Sequence, residues 1–65
     1  MKLEITLTMD NAAFGETEGE RACEAARILD QFAENLRCGF PAAPGPPLGL
    51  RDVNENSVGR AVVTE

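Results

Sequence analysis

Sixty-five residues with no His, Tyr or Trp, eleven acids against six bases and a net charge of −5 make one small acidic domain. A chain this short buries only about 60% of the surface its unfolded form exposes, and a core of that size supplies roughly 3–5 kcal/mol, too little to hold a strained catalytic constellation. With no His or Tyr, one Lys and two Cys, acid–base work near neutral pH would need a strongly perturbed carboxylate or thiol, which a shallow core hardly provides. An enzyme is therefore not expected, free nucleic acid and anionic lipid are repelled, and a basic partner is favoured.

Along the chain, Leu3, Ile5, Leu7 and Met9 alternate with Lys2, Glu4, Thr6 and Thr8. Period 2 over this stretch predicts a half-buried strand over 2–9. Residues 10–16 break the alternation with Asp10, Asn11 and Gly15 around Phe14, a loop whose aromatic is either core or contact. Thr17 followed by Glu20 has capping-box spacing, so a helix is expected over 18–38. Its apolar stripe is Ala22, Ala25, Ala26, Leu29, Phe32, Ala33 and Leu36, centred on Leu29, with Glu20, Glu24, Arg27, Gln31 and Glu34 on the solvated side. Arg37 suits the negative end of the helix, and Gly39 supplies a left-handed C′ residue.

All four prolines fall between Phe40 and Gly49, and proline holds neither a helix interior nor a central strand. Residues 39–49 read as a stiff linker tacked down by Phe40 and Leu48. Residues 50–64 read as a closing hairpin, two short strands around Asn54-Glu55-Asn56-Ser57, where Asn54 and Asn56 tolerate positive φ. Val58 and Val62 alternate with Ala61 and Val63, which leaves the inward face of the last strand open.

The fold class is α+β: a small β-α-β-β domain with a three-stranded antiparallel sheet, ordered first, third, second, and one helix packed on one face. Cys23 and Cys38 lie about 15 residues apart on the helix, roughly 22 Å, beyond the reach of a disulfide. Both read as free thiols in a reducing compartment. With no run of 18 apolar residues and no apolar leader, a cytoplasmic monomer is expected. No catalytic residue, metal site or cofactor is assigned.

Charge placement is the most informative feature. Residues 10–24 hold Asp10, Glu16, Glu18, Glu20 and Glu24 against Arg21 alone, a net −4 of the total −5. One reading is helix electrostatics, acids at the positive dipole end. The other is a carboxylate cluster that competes with nucleic acid for a basic groove, duplex DNA carrying one charge per about 1.7 Å of axis. No EF-hand spacing supports a cation loop. The polar turn with Asp52 and Glu55 is either an ordinary hairpin tip or a contact loop beside that corner.

The opening Met1-Lys2-Leu3-Glu4-Ile5-Thr6-Leu7-Thr8-Met9-Asp10-Asn11-Ala12-Ala13-Phe14 and the later Leu50-Arg51-Asp52-Val53-Asn54-Glu55-Asn56-Ser57-Val58-Gly59 resemble small accessory proteins of bacterial phages and mobile elements. Among these the chain most resembles anti-CRISPR proteins directed at type I, in particular type I-C, surveillance complexes. The resemblance implies a stoichiometric inhibitor that docks on the Cascade effector of a host bacterial cell, on its large subunit near the path of target DNA. From charge, the partner-binding candidates are Asp10, Glu16, Glu18, Glu20, Glu24, Asp52 and Glu55, facing a basic surface. A phage assembly module acting by self-association or strand addition is the alternative.

Overall fold

The computed structural model describes residues 1–39 and 43–65, so the expectation that Phe40 tacks down the linker lies outside the described residues. The elements run β1 (Lys2–Leu7), a 3₁₀ turn (Ala12–Phe14), α1 (Glu18–Arg37), β2 (Leu48–Arg51) and β3 (Ser57–Thr64). The sheet is antiparallel throughout and ordered β1-β3-β2, the expected α+β arrangement.

Local chemistry sets the helix ends. The Thr17 hydroxyl accepts the Glu20 N–H at 3.1 Å, one half of the capping box. The Cys38 N–H returns to the Glu34 carbonyl, and Gly39 follows at φ 121°, as a left-handed terminator should. Before the helix, Gly15 turns at φ 70°, and the Glu20 side chain occupies the space a β-carbon there would need.

The buried face of α1 is not centred on Leu29. Glu24, Ile28 and Phe32 are buried, Ala25 and Leu36 are half-buried, and Leu29, Ala22 and Ala26 are exposed. The face is turned by one residue, about 100°, toward Ile28. Alanines fit the periodicity but remove little apolar area from water, so the two large side chains, Ile28 and Phe32, fix the contact. They meet Phe14, Leu50, Val58 and Ala61 in one cluster. Phe14 is fully buried and is core, not contact.

Register settles which face of β3 points inward. Leu3 pairs with Val63, Ile5 with Ala61 and Leu7 with Gly59, while Leu48 and Leu50 pair with Ala61 and Gly59 from the other side. These residues share the helix face. Leu50 opposes Gly59 but Arg51 opposes Ser57, so Val58 is the extra residue of a β-bulge. The bulge resets the alternation, which is why Val58 and Ala61 are both buried although their spacing is odd.

Several boundaries differ from the sequence reading, α1 ending at Arg37 and β3 beginning at Ser57. β1 ends at Leu7, although the Thr8 N–H still donates to the Val58 carbonyl at 2.7 Å. The linker gives way to strand at Leu48, two residues before the expected start of the hairpin. α1 packs most closely on β2 and the 3₁₀ turn and leaves the inner face of β1 partly open. No helix among the described residues is long and apolar enough to cross a membrane.

Candidate functional site

The seven acidic candidates separate into two groups. Asp10, Glu16, Glu18, Glu20 and Glu55 are exposed; Asp10 and Glu16 flank the 3₁₀ turn, and Glu18 and Glu20 lie in the first turn of α1. Glu24 and Asp52 are only 8% and 3% exposed. These two are corrected: they are withdrawn from the surface and occupied by internal partners, so neither presents a carboxylate to a binding partner.

Glu24 is held by Arg27, whose Nε donates to Oε1 at 2.8 Å and whose Nη2 donates to Oε2 at 3.1 Å. The Val53 N–H donates to the same Oε2 at 2.9 Å. A carboxylate three residues before an arginine on a helix meets it readily. The added amide from the β2–β3 turn draws Glu24 onto the packed side of α1.

Asp52 organises that turn. Its Oδ1 accepts the N–H groups of Asn54 and Asn56 at 2.8 and 2.9 Å, and its Oδ2 accepts the side-chain amides of Asn11 and Asn56 at 2.7 and 3.3 Å. Asn11 in turn accepts the Ala13 N–H and caps the 3₁₀ turn. The loop after β1, the middle of α1 and the β2–β3 turn are thus joined by one polar network. Among the described residues no buried side-chain nitrogen or oxygen lacks a partner. The positive φ in the turn falls on Glu55, at 66°, and not on Asn54 or Asn56. Both asparagines are instead engaged by Asp52.

The network also sets the charge states. Arg27 first, then the Val53 amide, hold the Glu24 carboxyl below its ordinary range, against the cost of burial. Burial pushes Asp52 the other way, but the hydrogen bonds from Asn56, Asn11 and Asn54 outweigh it and leave that carboxyl lowered too. Both acids are ionised structural anchors. Sequence reasoning missed the clasp, yet one signal was present: Asp52 followed by Asn54 and Asn56 is a side-chain-to-backbone turn pattern.

Of the candidates, Asp10, Glu16, Glu18 and Glu20 remain exposed along residues 10–20. Within that stretch Arg21 is half-buried, with Nη1 3.5 Å from the Glu16 carbonyl oxygen, and Arg27 lines the same surface cleft as Thr17 and Glu20. Glu55 stands apart on the β2–β3 turn. Cys23 and Cys38 are both exposed free thiols. Among the described residues, no group of three or more His, Cys, Asp or Glu side chains is placed to hold a metal ion.

Comparison of the chain with protein-family models, with curated proteins and with solved structures returns no match.

Proposed function

We propose that the protein is an inhibitor of a type I-C CRISPR-Cas surveillance complex. It docks in the cytoplasm of the host bacterium on a basic surface of the large subunit and excludes target DNA. The observation that carries the reading is the acidic stretch: four exposed carboxylates on loop and helix start, with the Arg21 guanidinium turned to the Glu16 carbonyl and Arg27 paired with Glu24. The resemblance to small phage accessory proteins supports the choice of target.

The stretch is suited to that task by rigidity as well as charge. Phe14 is buried, Asn11 is tied to Asp52, and Thr17 caps the helix that carries Glu18 and Glu20, the latter folded back over Gly15. A fixed backbone spares the loop-ordering part of the cost of binding, while each exposed Glu side chain still gives up rotamer freedom. Contacts of this kind weaken with added salt. Affinity of the purified protein for the surveillance complex, measured at low and high salt, is expected to fall steeply; an affinity indifferent to salt refutes the groove reading.

A further inference from the structure

The sheet order leaves β1 at an edge. The Thr8 N–H donates to the Val58 carbonyl, and the Thr6 carbonyl lies against Gly59. Even-numbered residues of β1 therefore turn their backbone groups toward β3, and by the alternation of an antiparallel ladder Leu3, Ile5 and Leu7 turn theirs to the open side.

The other edge is blunted. β2 is four residues long, follows Pro47 and ends at the bulge. β1 has no proline, no bulge and no charge on its inner face, three of the devices that stop strands from pairing with other chains; its charges, Lys2 and Glu4, stand on the outer face. Its inner face is also incompletely covered: Met1, Leu3 and Ile5 are 75%, 45% and 39% exposed. An apolar cleft of about 270 Å³ lies between Leu3, Leu36 and Val63. That is below the roughly 300–1,000 Å³ of small-molecule sites and suits an apolar side chain.

We propose that this edge pairs with a second copy of the chain, β1 against β1, about a twofold axis through Leu3, to give one continuous six-stranded sheet. Charge selects the occupant and the register. With the axis at Leu3, Lys2 of each copy faces Glu4 of the other at the closer, non-hydrogen-bonded spacing, and Ile5 faces Met1. With the axis at Glu4, two glutamates oppose each other. With it at Ile5, Glu4 faces Thr6 and both ion pairs are lost. The Leu3 axis also keeps the acidic stretches apart, since the two Leu7 residues are then roughly 26 Å distant along the strands, beyond a Debye length of about 8 Å.

Such a dimer replaces the monomer expected from the sequence and leaves the acidic stretches free at opposite ends. Sedimentation equilibrium over a concentration series tests it. The unaltered protein is expected to show a reversible monomer–dimer equilibrium, which Lys2→Glu alone and Glu4→Lys alone each weaken by about tenfold or more. An equimolar mixture of the two variants regains the dimer, because each then meets its charge complement across the axis. That recovery also shows that both variants are folded. A monomer at every concentration, or a dimer indifferent to both variants, overturns the proposal.

Discussion

Glu24 Oε2 accepts the Val53 N–H at 2.9 Å, linking the middle of α1 to the β2–β3 turn across 29 residues of chain. With Asp52 beside it holding Asn11 and Asn56, this polar clasp joins three segments that the thin apolar core alone ties loosely. The acidic stretch is built on the same loop that the clasp anchors.

The clasp makes the fold sensitive to acid. Both carboxyls are lowered in the folded protein, so their contribution is complete above the ordinary carboxylate range, about pH 4. It is lost as pH falls through the depressed folded values. The thermal midpoint is expected to fall between neutral pH and about pH 3. In Glu24→Gln and Asp52→Asn proteins it should be lower at neutral pH and flatter toward acid. An acid limb unchanged in the double variant removes the clasp from the account.

Two glycines predict opposite signs for one chemical change. A β-carbon at Gly59 meets the Thr6 carbonyl and the Leu7 side chain, whereas one at Gly19 meets only the Thr17 hydroxyl oxygen at 4.0 Å. Gly59→Ala should cost about 1–3 kcal/mol through overpacking. Gly19→Ala should gain up to about 1 kcal/mol by removing backbone entropy from the unfolded chain. Urea titration of both variants decides the matter.

The position of the helix face is tested by Phe14 and Leu29. Truncating fully buried Phe14 to Ala removes about 3–5 kcal/mol, comparable to everything a core of this size supplies, and should abolish cooperative unfolding. Leu29→Ala should change stability by no more than about 0.5 kcal/mol, as at an ordinary surface position. A large loss at Leu29 would restore the face read from periodicity.

Much of the fold was legible because local signals and topology agreed. The alternation of β1, the Thr17 cap, the Gly39 terminator and the antiparallel β1-β3-β2 order all follow from residue patterns. The helix face was misread because Ala22 and Ala26 match the 3.6-residue period while burying little, and Ile28 was passed over. The last strand stayed ambiguous because a bulge at Val58 changes parity, and sequence does not show the register against β2. Glu24 and Asp52 looked like surface acids by type. Their burial depends on partners distant in the chain, Val53 for one and Asn11 for the other, which no local pattern reveals. Asp10, Glu16, Glu18 and Glu20 are exposed, as acids in a polar loop and a first helical turn are expected to be.

In the proposed function those four carboxylates displace DNA from a basic groove. Its most direct test is target-duplex binding by a type I-C surveillance complex, with stoichiometric protein added either unaltered or carrying Asp10→Asn, Glu16→Gln, Glu18→Gln and Glu20→Gln together. The unaltered protein should abolish duplex binding, and the neutralised variant, with Glu24 and Asp52 intact and the fold preserved, should leave it largely unimpaired. Equal inhibition by both proteins, or by neither, contradicts the claim.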